Sequence, residues 1–329
     1  MNRTNLGPLT GVSRLALGGG GLGNLWGATE HDEAVATVRA AVDGGINLID
    51  LAPLYGNSEA LVAEAFGGRP PKGIRFTSKC YLGSPEAPAD GLIQSLETSL
   101  ATLGLEQLDV FFLHTNICPD DYVYAQMTDL QHRFSTTWSI YTDHVVPTME
   151  RLRAQGRIGA WGITAVGIPQ TIAVALERSP APQVAQVVTN LLDSAGGMRR
   201  FADPFHPRET LALAKARGIG VMGIRAVQAG ALCAAFDREV GAETPEGLDY
   251  AVAAPFRALC NTWGVDPALA AHRYALSLEG VDTLVLGVKN RAELRQGLEA
   301  ERHGPLSPDQ VVAIDQLGLR SSALDRTSA

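Results

Sequence analysis

The chain has 329 residues, of which 46% are hydrophobic and 19% charged, so it can bury a core and is not an intrinsically disordered protein. Its net charge of −8 argues against a nucleic-acid-binding surface and against an anionic-membrane surface, although a local basic site can still bind an anionic small molecule. The length allows one large domain or two ordinary ones.

The cysteines and the N-terminus indicate the compartment. Cys80, Cys118, Cys233 and Cys260 show neither CxxC spacing nor the density of a disulfide framework, which predicts free thiols in a reducing cytosol. The N-terminal segment MNRTNLGPLTGVSRLALGGGG contains no apolar stretch of signal-peptide length, and no run approaches the ~18 apolar residues of a membrane helix. We therefore expect a cytoplasmic protein without a membrane segment.

Strand and helix patterns alternate along the chain. A hairpin is predicted over residues 7–17, with its turn at Leu9, Thr10 and Gly11. Short apolar strands are predicted at 15–18, 46–51, 74–79, 108–114, 158–164, 184–188, 220–224 and 283–286. Helices are predicted at 32–43, 58–66, 90–103, 142–155, 169–177, 207–217, 254–263, 267–278, 291–300 and 309–317.

This alternation predicts an α/β fold, a (β/α)8 TIM barrel with an N-terminal β-hairpin and a C-terminal tail helix. The strands are apolar without alternation, as expected when both faces of a sheet are covered. No Pro-, Gly- or Ser-rich linker marks a boundary, so residues 1–329 are expected to form a single domain. An open, doubly wound sheet is the alternative.

A glycine-rich segment, Gly19 to Gly27, follows the first predicted barrel strand. A dinucleotide-binding fingerprint needs a helix that begins inside the motif, but polar and turn residues continue here to His31. We interpret the segment as a flexible loop over the mouth of the barrel.

Four polar residues lie at the ends of three consecutive strands. Asp50 and Tyr55 follow the second strand, Lys79 ends the third and His114 ends the fourth. A buried lysine needs an anionic partner, which Asp50 on the neighbouring strand can provide. A cation near a phenol is expected to lower the pKa of Tyr55, and His114 can hydrogen-bond a carbonyl oxygen. Together these groups suit protonation of a carbonyl oxygen as hydride reaches the carbon.

The chain resembles an aldo-keto reductase over nearly its whole length. The matching segments are INLIDLAPLYGNSE, RFTSK, LDVFFLH, GRIGAWGIT, QVVTNLLD and LVLGVKNRAEL. The resemblance implies an NAD(P)(H)-dependent oxidoreductase that acts on an aldehyde, ketone or sugar-type substrate, and a nicotinamide bound at the barrel mouth without a Rossmann domain. It implies Asp50, Tyr55, Lys79 and His114 as a catalytic tetrad with Tyr55 as the general acid–base.

The resemblance also implies a set of cofactor contacts. Thr164 and Gln186 correspond to the residues that hold the carboxamide, and residues 225–232 to the loop that covers the pyrophosphate. Basic side chains near residue 290 would grip the adenosine ribose and any 2′-phosphate, so NADP(H) is expected over NAD(H). A solvated helix N-terminus is the alternative for those side chains. The full set is Gly19, Gly20, Asp50, Thr164, Gln186, Ile224, Arg225, Gly230, Leu232, Lys289, Asn290 and Arg291.

Departures from the family pattern bear on how the nicotinamide is held. Ala165 replaces the usual Asn, Ile224 replaces a stacking aromatic residue, and Arg225 replaces a small residue. Glu293 stands where some members have a second basic residue. The Ile-Arg-Ala pattern is nearer the branch that includes sugar-lactone-forming and pyridoxal dehydrogenases.

The predicted loop from Thr115 to Tyr141 is long and aromatic. We expect it to fold over the mouth, with an oligomer contact as the alternative. No metal site is expected, because His132 with Asp120 and Asp121 has no supporting ligand cluster. The predicted substrate-binding residues are Trp26, Tyr55, Tyr81, His114 and Trp138.

Two other functions remain open from the sequence. The barrel can bind nucleotide as a regulatory or partner-binding subunit, or it can act as an isomerase or lyase that recycles its nicotinamide internally. The expected partner is a small-molecule carbonyl or alcohol substrate, and neither nucleic acid nor a membrane is expected. These residues specify neither the identity of the substrate nor the oligomeric state.

Overall fold

The computed structural model describes residues 1–82, 87–124 and 131–320. Its strands are β1 (Arg3–Leu6), β2 (Leu9–Ser13), β3 (Leu15–Gly18), β4 (Leu48–Asp50), β5 (Arg75–Cys80), β6 (Leu108–Leu113), β7 (Asn116–Cys118), β8 (Ser135–Thr137), β9 (Ile158–Thr164), β10 (Val184–Val188), β11 (Gly220–Ile224) and β12 (Thr283–Gly287). Eight of them form a closed barrel in the order β3-β4-β5-β6-β9-β10-β11-β12. The predicted α/β barrel is confirmed, and the open sheet is excluded.

Helices follow the barrel strands and surround them. They are α1 (Gly19–Leu22), α2 (His31–Asp43), α3 (Ser58–Ala65), α4 (Pro88–Leu103), α5 (Gln131–Phe134), α6 (Trp138–Ile140), α7 (Val146–Ala154), α8 (Pro169–Glu177), α9 (Pro207–Ala216), α10 (Pro245–Val252), α11 (Ala254–Trp263), α12 (Pro267–Ser277), α13 (Arg291–His303) and α14 (Pro308–Asp315). No helix within the described ranges is long and apolar enough to cross a membrane.

Strand β6 shows how a doubly covered strand divides its side chains. Val110 and Phe112 belong to the cluster inside the barrel, whereas Phe111 and Leu113 belong to the cluster between strands and helices. Successive side chains of a strand point to opposite faces, so an apolar run serves both cores at once. This is why the strands show no polar alternation.

The hairpin β1–β2 closes the bottom of the barrel. Leu6, Leu9 and Val12 pack with the interior cluster, and Gly7 contacts Gly220 at the beginning of β11. The N-terminal ends of the strands are therefore covered, and the C-terminal ends remain available for a site.

The hairpin turn differs from the prediction. It lies at Gly7 and Pro8 rather than at residues 9–11, because Gly7 adopts a φ of +54° and proline cannot continue the ladder. The Gly7-Pro8 pair therefore specifies the position of the turn more strongly than Gly11 does.

The glycine-rich segment also differs from the prediction. Gly19–Leu22 form a buried helical turn, α1, and not a flexible loop. A Cβ atom at Gly23 would lie 1.6 Å from the carbonyl oxygen of Tyr55, and one at Gly21 would lie 2.3 Å from that of Val288. The glycines are needed because the backbone passes directly against two other segments.

Two regions predicted as irregular contain regular structure. Strands β7 and β8 pair in parallel within the predicted long loop, of which residues 125–130 lie outside the described part of the chain. Helix α10 was missed, although Thr244 caps it by accepting a hydrogen bond from the backbone of Gly247 at 3.1 Å. The Thr-Pro-Glu sequence at its start is typical of a helix N-terminus.

Candidate active site

The ends of β4, β5 and β6 bring four polar side chains together at the open end of the barrel. Lys79 Nζ lies 2.8 Å from Asp50 Oδ2 and 4.7 Å from the centroid of the Tyr55 ring. The rings of Tyr55 and His114 meet edge to face, with centroids 5.6 Å apart. The proximity follows from the fold, since adjacent parallel strands all end on the same rim.

Asp50 is the centre of a buried hydrogen-bond network. Its Oδ2 accepts a hydrogen bond from Lys79, and its Oδ1 accepts hydrogen bonds from Thr77 Oγ1 and from Gln186 Nε2, the latter at 2.8 Å. Lys79 also donates to the carbonyl oxygen of Leu51 at 2.7 Å. A buried ion pair is tolerated only when such further hydrogen bonds satisfy it.

Tyr55 is held in its neutral form. Burial and the neighbouring Asp50 raise the pKa of the Tyr55 phenol well above its usual value, and Arg225 opposes them only in part. The expectation of a lowered pKa for Tyr55 is therefore wrong for the protein alone, because burial outweighs the neighbouring positive charge. Burial also lowers the pKa of Lys79, against the attraction of Asp50. A neutral phenol in this position is a proton donor.

His114 is also neutral. Burial lowers the pKa of its imidazole well below the usual value, and Lys79 and Arg200 lower it further. Its Nδ1 is buried and has no hydrogen-bond partner among the described residues. Its ring packs on Tyr81 as well, with centroids 4.9 Å apart. A neutral imidazole here can donate one hydrogen bond to a carbonyl oxygen.

A cavity of about 610 Å³ opens above these residues, a size typical of small-molecule sites. Most of the predicted site residues line it, namely Gly20, Trp26, Asp50, Tyr55, Tyr81, His114, Gln186, Ile224, Arg225, Gly230 and Lys289. The structure thus brings together residues from loops that are far apart in sequence.

Other predicted residues lie beside the cavity or away from it. Lys79 is fully buried beneath Tyr55. Thr164 ends β9 as the register partner of Gln186. Leu232 packs in a separate apolar cluster with Phe256 and does not line the cavity.

Four further predicted site residues do not line the cavity. Trp138 packs on Tyr141, with ring centroids 5.5 Å apart, so it does not form a cavity wall. Asn290 caps α13 by accepting hydrogen bonds from the first backbone N–H groups of the helix. Arg291 pairs with Glu33 at 2.8 Å on the protein surface. Gly19 lies under Leu51 and likewise does not line the cavity.

Two of the predicted phosphate-binding cations already have carboxylate partners. Lys289 pairs with Asp237. Arg225 pairs with Glu246 at 2.7 Å and donates to Gln228 Oε1 at 2.8 Å. Arg225 also adopts a φ of +60°, an uncommon conformation for a non-glycine residue that this network holds in place.

Several cavity residues were not predicted from the sequence, because none of them lies at the end of a barrel strand. They include Asn116, Met198, Arg200, Asp237, Arg238 and Glu246. Arg225 and Arg238 both lie near Trp26 of the first loop, with guanidinium carbons 5.7 and 5.6 Å from the centroid of its ring. No sequence pattern predicts these contacts, because Trp26 is far from both arginines along the chain and meets them only in the folded protein.

The residues present fit a nicotinamide dinucleotide. Thr164 Oγ1 is buried without a hydrogen-bond partner among the described residues, next to the Gln186 amide. Such an orphaned hydroxyl is costly unless a ligand satisfies it. Ile224 supplies an apolar wall to the same cavity. Within the described ranges, no three His, Cys, Asp or Glu side chains cluster as metal ligands would.

The chain is similar in sequence to known dehydrogenases and reductases. The profile of the Aldo/keto reductase family matches residues 14–318. The L-galactose dehydrogenase of Arabidopsis thaliana is 23% identical over 328 residues, which cover 97% of this chain and 90% of that protein. The pyridoxal 4-dehydrogenase of Microbacterium luteolum is 25% identical over 322 residues, which cover 87% of this chain and 89% of that protein.

Solved structures show the same fold. The holo form of an aldo-keto reductase from Bacillus halodurans matches with a TM-score of 0.72 at 21% identity, covering 98% of this chain and 97% of that one. An aldo/keto reductase from Klebsiella pneumoniae in complex with NADP and acetate matches with a TM-score of 0.66 at 19% identity, covering 97% and 96%.

Proposed function

This chain belongs to the aldo/keto reductase family and is an NAD(P)-dependent oxidoreductase, and we propose that Tyr55 is its general acid–base. The observation that supports this role is the buried Lys79–Asp50 pair beneath the Tyr55 ring. A neutral phenol above an ammonium group can release a proton and leave a stabilised phenolate.

In the reduction of a carbonyl, each of these side chains has a separate role. Tyr55 donates its phenolic proton to the carbonyl oxygen, and the ammonium group of Lys79 stabilises the phenolate that remains. Asp50 keeps Lys79 charged and in place, and His114 donates a hydrogen bond to the same carbonyl oxygen. The bound nicotinamide supplies hydride to the carbonyl carbon, or accepts it in the reverse direction. For oxidation of an alcohol, the Tyr55 phenolate accepts the hydroxyl proton.

The substrate proposed is an aldehyde, a ketone or a sugar-type carbonyl or alcohol. The full-length similarity to an L-galactose dehydrogenase and a pyridoxal 4-dehydrogenase supports a polar substrate of this kind. The four free cysteines support the predicted cytoplasmic location, because free thiols are typical of reducing compartments.

Thr164 and Gln186 would hold the carboxamide of the nicotinamide, and Arg225 and Gly230 would lie along the pyrophosphate. The form of the dinucleotide depends on the residues at the start of α13. Lys289 can bind a 2′-phosphate only if it leaves Asp237, and the carboxylate of Glu293 lines the same cavity. The sequence predicts NADP(H), and a reductase from Klebsiella pneumoniae forms a complex with NADP. The carboxylates of Asp237 and Glu293 instead favour NAD(H), which has no 2′-phosphate.

The test is a turnover assay with the purified protein. NADH and NADPH are each supplied with a panel of aldehydes, ketones and sugars, and NAD⁺ and NADP⁺ with the corresponding alcohols. We expect nicotinamide absorbance to change in proportion to product. Product formed without a net absorbance change would contradict the proposal and favour an isomerase or lyase that recycles its cofactor.

A further inference from the structure

Among the described residues, one cation that lines the cavity has no carboxylate partner. Four arginine and lysine side chains line it, namely Arg200, Arg225, Arg238 and Lys289. Arg225 pairs with Glu246, and both Arg238 and Lys289 pair with Asp237. Within the described part of the chain, no carboxylate forms an ion pair with Arg200. A cation in a protected cavity without a counterion is costly unless a ligand provides one.

The guanidinium group of Arg200 is partly removed from water. Its Nε is buried and has no hydrogen-bond partner among residues 1–82, 87–124 and 131–320. Its Cζ lies 4.0 Å from the centroid of the Phe134 ring. Partial burial also lowers the pKa of Arg200. The aromatic contact covers a face of the planar group and does not use its N–H donors.

Arg200 lies on the substrate side of the cavity. A series of aromatic contacts joins it to the proposed catalytic residues, with ring centroids 6.0 Å apart between Phe134 and Tyr81 and 4.9 Å apart between Tyr81 and His114. Its charge is close enough to contribute to the lowered pKa of His114. Arg238 and Lys289 share Asp237 and form a different cluster.

We propose that Arg200 binds an anionic oxygen group, a carboxylate or a phosphate, on the substrate whose carbonyl lies at Tyr55 and His114. This inference rests on the proposed function and narrows its substrate class to carbonyl compounds, and the corresponding alcohols, that carry an anion. Guanidinium binds either group through two parallel N–H···O bonds. Asn116 on the same wall is already engaged, since it donates to the carbonyl oxygen of Val166 and accepts from Tyr124.

A purely structural role is the alternative. Arg200 would then serve only to stack on Phe134 and hold the segment 131–137 at the mouth of the cavity. Loss of that contact would lower the stability of the protein and reduce turnover of every substrate to the same extent. An anion-binding role instead changes the ratio between charged and neutral substrates.

The experiment compares three para-substituted benzaldehydes of similar shape: 4-formylbenzoate, 4-formylphenyl phosphate and the neutral methyl 4-formylbenzoate. kcat/KM is measured with saturating dinucleotide for the wild type, Arg200→Gln and Arg200→Lys. The control is Arg133→Gln, because Arg133 is exposed, lies 5.5 Å from the same Phe134 ring and does not line the cavity. Thermal unfolding of each variant and the Kd of the non-reactive anion terephthalate provide readouts independent of turnover.

We expect the wild type to prefer at least one anionic aldehyde over the neutral ester by roughly 10- to 100-fold, the range given by a charge-assisted hydrogen bond. Arg200→Gln should remove this preference and weaken terephthalate binding, Arg200→Lys should restore part of it, and Arg133→Gln should retain it. The preferred aldehyde identifies carboxylate or phosphate as the anion.

Equal turnover of the three aldehydes by the wild type would overturn the inference and leave the proposed function intact. An unchanged preference in a folded Arg200→Gln variant would also overturn it. No reduction of any aldehyde, together with terephthalate binding that depends on Arg200, would contradict the proposed function and retain the anion site.

Discussion

Lys79 and Asp50 form a buried ion pair at the base of the cavity, with 2.8 Å between Nζ and Oδ2 and almost no exposure of either side chain. Neither charge can be hydrated in place, so each depends on the other, on the hydrogen bonds that Thr77 and Gln186 donate to Asp50, and on the one that Lys79 donates to the Leu51 carbonyl. The same ammonium group faces the ring of Tyr55. Both the stability of the fold and the proposed proton transfer at Tyr55 therefore depend on the Lys79–Asp50 pair.

Replacing Lys79 by Met should lower both stability and activity. The change leaves the Asp50 carboxylate buried without its cation, which costs about 3–5 kcal/mol in the free energy of unfolding. It also removes the charge that stabilises the Tyr55 phenolate, so kcat should fall by at least about 100-fold. Urea unfolding and turnover measure the two effects.

The control is Arg157→Met, which breaks the exposed Arg157–Glu97 pair of the same 2.8 Å length. An exposed pair is worth less than about 1 kcal/mol, so this variant should retain stability and turnover. Equal losses in the two variants would show that the burial of the Lys79–Asp50 pair has no special effect.

The two directions of the reaction should depend differently on pH. Reduction needs the protonated phenol of Tyr55, and its pKa lies well above the usual value because of burial. The protonated fraction therefore stays constant from neutral to moderately alkaline pH, and kcat for reduction should be flat. Oxidation needs the phenolate, so its kcat should rise about tenfold for each pH unit below that pKa.

Two tyrosine variants separate this titration from other groups. Tyr55→Phe should lose both activities while retaining dinucleotide binding, measured by fluorescence titration. Tyr141→Phe should retain them, since the hydroxyl of Tyr141 is buried outside the cavity and has no hydrogen-bond partner in the described chain. Wild-type turnover in Tyr55→Phe would exclude this residue as the general acid–base.

Replacing Asp237 by Asn should shift the cofactor preference towards NADPH. The change removes the carboxylate partner of Lys289 and leaves its ammonium group available for a 2′-phosphate. The ratio of the NADH Kd to the NADPH Kd should rise by about tenfold. Asp203→Asn is the matched control, because Asp203 binds the Tyr122 hydroxyl at 2.7 Å and does not line the cavity. A similar rise in both variants would implicate net charge rather than Lys289.

His272 should make the protein less stable in acid. Burial lowers the pKa of its imidazole to about 4, below the value of about 6.5 in an unfolded chain. The unfolded state therefore binds an additional proton between these values, and stability falls as pH falls through this window.

At pH 4.5 this residue should cost about 2 kcal/mol relative to pH 7. Urea unfolding of His272→Gln at both pH values should show a smaller loss than the wild type. The control is His303→Gln, a change at an exposed position at the end of α13. If His272→Gln and the wild type lose stability equally, the acid sensitivity comes from other groups.

The strand-end residues were predictable and the loop residues were not. Asp50, Lys79 and His114 each end an apolar run, and parallel strands place such ends on one rim whatever the loops do. Arg200 lies in a loop and Glu246 in the first turn of α10, and the positions of both depend on contacts across the whole fold. The ion pair of Arg291 with Glu33 joins residues 258 positions apart, and no local pattern predicts it.

The sequence by itself determined the barrel, the order of its strands and the meeting of Asp50, Tyr55, Lys79 and His114. Hydrophobic periodicity is a local property of each segment, and the parallel strands of a closed barrel all end on the same rim. Only the tertiary structure decided the protonation state of Tyr55 and the counterions of the cavity cations. Both depend on burial and on charge pairs between distant segments, since the energy of a charge is set by everything packed around it. That is why the pKa of Tyr55 is raised where the sequence predicted a lowered one, while the predicted place of Lys79 beside Asp50 was right.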